Sequence, residues 1–176
     1  VVQSALLHPN TRYLIGASTH NQAKLIYWDS FCQMIPSYLI QKKSDSELKL
    51  FLQNGSKLEL FSAESIERIE GGESVSGVIL DEASETYIMD IFSRNILPML
   101  ADVGGFCIIL GVPRTTVSNQ FRELVLKYSD KVLFNDWAVY TWSSEDILSP
   151  TIIDSFKAIS DPRTYATEFL GQWTEA

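Results

Sequence analysis

The chain has 176 residues, 45% of them apolar, and a formal net charge of −8. That is enough sequence for one compact domain with a sizeable core, and too apolar for a disordered segment. The acidic balance argues against a protein that coats nucleic acid by its own charge. The longest apolar run, FCIILGV at 106–112, is far too short to cross a bilayer.

The chain opens on VVQSALLHPN, which reads as the tail of a helix. With no initiator methionine and no basic-then-apolar leader, the expectation is an internal fragment that carries no secretion signal. TRYLIGAST at 11–19 reads as a buried strand ending on a Ser/Thr pair, and Asn21 to Ile35 as a helix. ELKLFLQNGSKLELFSA at 47–63 reads as a hairpin. A loop of Gln53, Asn54 and Gly55 puts Gly55 at the left-handed position, pairs Leu50 with Leu58 and Leu48 with Leu60, and keeps the leucines on one face. SGVILDEA at 76–83 is the next buried strand. From Ser84 a helical stretch carries Ile88, Ile91, Phe92 and Met99 on one side, with a break near Pro98. GGFCIILGVP at 104–113 is another fully apolar strand, ending at Gly111. Phe121, Leu124, Val125 and Tyr128 recur at i, i+3, i+4 and i+7 in a helix over 118–129. DKVLFNDWAVYTWSS at 130–144 supplies one or two late strands. Ser149-Pro150 and Asp161-Pro162 then each set a cap residue and a first-turn proline ahead of a helix.

Apolar strands alternating with helices predict an α/β fold, a mostly parallel sheet flanked by helices, with the hairpin around 47–61 as an insertion. No internal repeat, low-complexity stretch or domain boundary is visible. Sites in such sheets form at the carboxyl ends of the strands, where Asp81-Glu82 and Gly111-Val112-Pro113 both fall. Cys32 and Cys107 sit in apolar segments without metal-ligand spacing and read as buried thiols of a reducing compartment. Charge is unevenly placed: Glu64, Glu67, Glu70, Glu73, Asp81, Glu82, Glu85 and Asp90 face Arg68 alone, whereas Arg12, Lys24, Lys42 and Lys43 face only Asp29 in residues 1–44. A solvated acidic face is the ordinary reading, and a subunit interface between acidic and basic faces is the other.

The apolar run GVIL stops on two adjacent carboxylates, Asp81 and Glu82. Phosphoanhydride hydrolysis needs magnesium on the phosphates and a group that orients or deprotonates the attacking water. Neighbouring side chains on a strand point differently, so the first acid can reach a metal while the second reaches the water. The competing reading is a strand-end pair that caps the helix over ASETYIMD, whose N-terminus favours acids anyway.

The order of segments resembles the ATPase domain of the large terminase subunit of tailed bacteriophages. RYLIGASTHNQAKLIYWDSF is similar to the strand and helix that follow the phosphate loop there, and NGSKLELFSAESIERIEGG to the hairpin and turn ahead of the acidic strand. GVILDEASE resembles the Walker B segment, FCIILGVPRTTVSNQFREL the coupling segment and its helix, and ILSPTIIDSFKAISDPRTYATEFLGQW the end of the domain, just before a linker to a nuclease. The resemblance runs in order from about Arg12 to Trp173. It implies a P-loop NTPase of the ASCE/RecA-like type that hydrolyses ATP with Mg2+ to drive double-stranded DNA into a procapsid. The implied partners are the DNA, the portal protein, the small terminase subunit and further copies in a ring, in the host cell cytoplasm and away from any membrane. By position, Asp81 would serve the magnesium ion and Glu82 would be the catalytic glutamate. Gly111-Val112-Pro113 would be the coupling segment, which usually has threonine in the middle. Arg68 is the candidate arginine finger offered in trans, with Arg94 and Arg114 as rivals; otherwise Arg68 is an ordinary helix-surface partner of Glu64.

One part of that site is not in the sequence. A phosphate loop needs G-x-x-x-x-G-K-[ST], and the chain contains no Gly-Lys dipeptide; NGSK at 54–57 is better used as the hairpin turn. In the family the loop lies upstream, so the resemblance implies a domain fragment that starts after it and does not hydrolyse ATP by itself. It also implies a gap in the sheet, or a strand borrowed from elsewhere, where the loop's own strand would lie. A helicase-like ATPase and a non-catalytic assembly module of the same fold are the alternatives.

Overall fold

The computed structural model describes residues 1–17, 19–62, 65, 69, 73–85, 88–114 and 120–174, with the side chains of 85, 88 and 89 left aside. They form two compact units, Val1–Leu110 and Gly111–Ala176.

In the first unit, α1 (Val2–Leu7) precedes β1 (Arg12–Ala17), which runs through a six-stranded sheet. The other strands are β2 (Ile40–Ser44), β3 (Lys49–Leu52), β4 (Lys57–Ser62), β5 (Gly77–Leu80) and β6 (Phe106–Ile109). Their order is β2-β3-β4-β1-β5-β6. β4, β1, β5 and β6 run parallel, and β3 and β2 add antiparallel rungs beyond β4, so the mostly parallel sheet is as read. The hairpin has its predicted register: Leu50 lies opposite Leu58, and Leu60 N–H donates to Leu48 C=O at 3.0 Å. Gly55 has φ +84°, and a Cβ there would sit 2.2 Å from Asn10 Oδ1. Asn54 ties the turn to α1, donating from Nδ2 to Ala5 C=O at 2.8 Å.

The gap expected in the sheet is not there. β5 pairs directly with β1 through Gly16↔Leu80 and with β6 through Leu80↔Ile109, so the described strands follow one another without interruption and β6 ends the order.

The connections after β1 and β5 are helical. After β1, Thr19 caps a run made of α2 (His20–Ala23), a π turn (Lys24–Trp28) and α3 (Asp29–Met34). Thr19 Oγ1 accepts from Gln22 N–H at 3.2 Å, and Gln22 Oε1 accepts from Thr19 N–H at 3.1 Å, a reciprocal capping box. Ala23, Trp28 and Ile35 bury against Tyr13, Ile15 and the leucines of β3 and β4, forming the core on that side. Trp28 spends its one donor on Asp45, Nε1 to Oδ1 at 2.7 Å. After β5 come a 3-10 turn (Ala83–Glu85), α4 (Ile88–Ile91), a π turn (Phe92–Ile96) and α5 (Leu97–Ala101). The predicted break at Pro98 does not occur. The proline falls in the first turn of α5, straight after the π turn, where its missing N–H is least costly.

β1 is buried on both faces, and β4 carries a buried carboxylate, Glu59. Arg12 grips it with two bonds, Nε to Oε1 at 2.8 Å and Nη2 to Oε2 at 3.1 Å. A buried charge needs such a partner. Gly77 lies between Tyr13 and Phe106 in register, and their rings meet across it at 6.2 Å. Cys32 and Cys107 are free thiols, each half-buried, and burial pushes the Cys107 thiol up to about 12.

The second unit holds α6 (Gln120–Tyr128), α7 (Pro150–Ile159), α8 (Pro162–Thr164) and a π turn (Tyr165–Phe169). Phe121, Leu124 and Tyr128 are buried as their spacing requires, whereas Val125 is only half-buried. Asp161 caps α8, accepting from the N–H groups of Arg163 and Thr164, both at 3.0 Å. Ser149 makes no side-chain cap for α7, which Pro150 opens. The predicted late strands are absent: residues 130–143 form turns and irregular backbone. The apolar residues that suggested strands are spread between solvent and local packing. Val132, Leu133 and Tyr140 are exposed, while Phe134 and Trp137 fold back on Tyr128, with ring centroids at 4.9 and 4.1 Å. Asp130 Oδ1 accepts from Val132 N–H at 2.9 Å, holding a turn where a strand would have to start. Among the described residues no helix is long and apolar enough to cross a membrane.

Candidate functional site

The carboxyl ends of β1, β5 and β6 lie side by side, because the three strands are parallel and in register. Asp81 continues β5 by one rung, its N–H donating to Gly16 C=O at 2.9 Å. On the other side, Leu110 N–H donates to Leu80 C=O at 2.8 Å and Ala83 N–H to Leu110 C=O at 2.9 Å. The acidic pair is therefore clamped by backbone bonds to both neighbouring strands. Within that clamp the chain reverses at Glu82, which has φ +54°. A non-glycine residue in the left-handed region is strained, and such strain persists where the surroundings impose it. Asp81 and Glu82 are both half-buried and Ala83 behind them is fully buried, so the two carboxylates emerge from an apolar floor.

Both oxygens of Asp81 are held. Oδ1 accepts from Glu82 N–H at 2.8 Å, and Oδ2 accepts from the Tyr27 hydroxyl. Neither donor belongs to α4, so the capping role weighed for Asp81 does not describe its bonds. Burial, the bond to Asp81 and the nearby charges of Asp81 and Glu82 push the Tyr27 phenol well above its usual range, and it stays a neutral donor. Nothing in the sequence singles out Tyr27. The topology gives one signal, since the helix after β1 has to pass close to the end of β5, but which turn carries the donor is not written in the periodicity.

Gly111, Val112 and Pro113 begin the second unit; Pro113 is buried, and Gly111 makes room for a ring, as a Cβ there would lie 2.9 Å from Phe121 Cε1. Arg68 lies outside the described residues, as do Ser18 at the end of β1 and the acids Glu64, Glu67 and Glu70. Of the rival arginines, Arg94 is exposed and reaches Asp90 at 3.8 Å, and Arg114 meets Glu168 at 2.9 Å. Glu73 in the acidic stretch is paired as well, with Lys57 at 2.6 Å, which holds its carboxyl below the usual range.

No group of three or more His, Cys, Asp or Glu converges among the described residues, so these offer no all-protein metal cage. Magnesium does not require one. It is commonly held by one or two carboxylates, with phosphate and water oxygens completing the shell. A half-buried Asp81 at a strand end, with both oxygens already oriented, fits that donor set.

No family model matches the chain, and a search of curated proteins finds no match. Solved structures do match. The large terminase ATPase domain of Thermus phage P74-26 superposes with a TM-score of 0.75 at 18% identity, covering 98% of this chain and 80% of that one. The large terminase of another thermophilic bacteriophage gives 0.75 at 14% identity, covering 98% of this chain and 43% of that one; it has also been solved with ADP and with ATP-gamma-S. The HK97 large terminase gives 0.60 at 16% identity, with 94% and 40% covered. The fold of this chain is that of the phage large-terminase ATPase domain.

Proposed function

We propose that this chain is part of the ATPase of a phage DNA-packaging motor, with Asp81 and Glu82 at its hydrolytic centre. The observation that carries the reading is the acidic pair itself: two carboxylates at the carboxyl end of β5, between parallel neighbours, with strained backbone at the second. Bound magnesium would neutralise charge on the phosphates, and Asp81 is the residue that would hold it. Glu82 orients the attacking water and accepts its proton as the water oxygen bonds to the γ-phosphorus; the bond to the bridging oxygen breaks and ADP leaves. Gly111-Val112-Pro113 serves as the coupling segment, without the hydroxyl of a threonine. Arg68 serves a neighbouring subunit's nucleotide. In this reading the phosphates would be held by a phosphate loop that residues 1–176 do not contain. Double-stranded DNA, the portal protein, the small terminase subunit and a ring of copies in the host cytoplasm complete the assembly in this reading.

The test is a longer chain that carries the phosphate loop. Glu82→Gln keeps the shape and removes the base, so turnover falls by roughly 10²–10⁴ while nucleotide binding persists. Asp81→Asn instead raises the magnesium concentration needed for activity. A second reading, a non-catalytic assembly module, draws on the lack of any Gly-Lys dipeptide. No turnover in the longer chain would favour it, whereas near-normal turnover of Glu82→Gln would leave an ATPase in which Glu82 is only a helix-capping acid.

A further inference from the structure

The hydroxyl of Tyr27 reaches across from the helix after β1 to the first carboxylate of the pair. Its position there has a specific local cause. Residues Lys24–Trp28 form a π turn inserted between α2 and α3. The wider turn lets two adjacent side chains face inward: Trp28 is buried and reaches Asp45, while Tyr27, half-buried, reaches Asp81. π turns of this kind recur at functional sites because they carry side chains to places a regular α-helix does not reach. The Tyr27 ring is backed one turn on by Phe31, with centroids 6.1 Å apart. Leu25 and Ile26, just before it, point to solvent, so burial of the helix does not by itself account for an inward hydroxyl.

We propose that Tyr27 is a positioning residue for Asp81. Its O–H fixes Oδ2 while Glu82 N–H fixes Oδ1, so the carboxylate plane is set before a cation arrives. Each oxygen keeps a lone pair for a hard cation, since a carboxylate oxygen accepts more than one bond. A carboxylate held from both sides loses little freedom when it takes up a metal, and partners of ligating groups typically contribute 10–100-fold to metal affinity. The π turn of the helix after β1 thereby acts on the metal site through Asp81. The inference rests on Asp81 as the magnesium residue.

The experiment uses the longer chain that carries the phosphate loop, with Mn2+ as the probe and a non-hydrolysable ATP analogue, read by electron paramagnetic resonance titration. Tyr27→Phe removes one oxygen and keeps the ring against Phe31. Thermal unfolding without metal follows the fold separately. We expect Tyr27→Phe to weaken Mn2+ binding roughly tenfold, at the lower end of that range, and Asp81→Asn to weaken it further. We also expect the turnover deficit of Tyr27→Phe to narrow as magnesium is raised to saturation. If Asp81→Asn loses the metal and Tyr27→Phe binds it as wild type does, or only unfolds at a lower temperature, the positioning role is overturned and the metal site stands. If neither variant changes Mn2+ binding, the assignment of Asp81 falls and the role of Tyr27 falls with it.

Discussion

Glu82 combines two demands on one residue. Its φ of +54° is a conformation that glycine adopts freely and glutamate does not. A left-handed non-glycine residue costs roughly 1–2 kcal/mol, part of which glycine would return through the greater freedom of its unfolded chain. Glu82→Gly should therefore raise stability by about 0.5–1 kcal/mol, read in urea unfolding of residues 1–176, while removing the carboxylate proposed to orient the water. A residue kept against its backbone preference for stability alone would show the opposite sign. The pair was legible in the sequence because an apolar run that ends on two acids is conspicuous. The strain at Glu82 and the bond from Tyr27 were not, since both depend on how β1, β5 and β6 align beyond their last rungs.

Among the elements, the inner parallel strands announced themselves because burial on both faces leaves an unbroken apolar run, as in YLIGA and GVIL; FCII carries the same run although it ends the sheet with alternate residues exposed. The hairpin register followed from period-two leucines and one glycine with positive φ. The π turns at 24–28 and 92–96 could not be read this way, because one extra residue per turn leaves the apolar pattern almost unchanged. The strands expected late in the chain do not form, since Phe134 and Trp137 satisfy themselves locally on Tyr128, with no ladder required. Gly77 offers a test at this scale. A Cβ there would lie 2.4 Å from Phe106 Cζ and 2.9 Å from Tyr13 Cδ1, so Gly77→Ala must drive the two rings apart. Overpacking of this sort costs about 1–3 kcal/mol, and a drop within that range in the same urea experiment is the expected result. A neutral outcome would mean that the Tyr13–Phe106 contact does not help hold β5 between its neighbours.

In the proposed reading, the molecule would present the metal-and-water half of a nucleotide site on a sheet whose described strands follow one another without interruption. Most nucleotide affinity in this class comes from backbone N–H groups and a lysine around the phosphates, which a chain without a Gly-Lys dipeptide does not supply in that pattern. Losing two or three charge-assisted hydrogen bonds, at ~1.5–3 kcal/mol each, weakens binding by several orders of magnitude. Calorimetry on residues 1–176 should detect no micromolar binding of magnesium-ATP. A micromolar heat would mean that the phosphates are held by some other part of the chain.

The two ends of the sheet are defended differently. β2, at one end, shows Lys42 and Lys43 to solvent, and charges on an outer strand discourage another chain from adding to it. β6, at the other end, reads FCII, with Phe106 38% and Ile108 45% exposed and no charge along its length. An uncharged, apolar outer strand lacks the charges that discourage a second molecule from pairing with it. Residues 1–176 produced by themselves should therefore self-associate through β6 as concentration rises, with light scattering climbing and Ile108→Lys suppressing the rise. The colloidal behaviour of this polypeptide would then be set by four residues at one margin of the sheet, against the direction in which its net charge of −8 points.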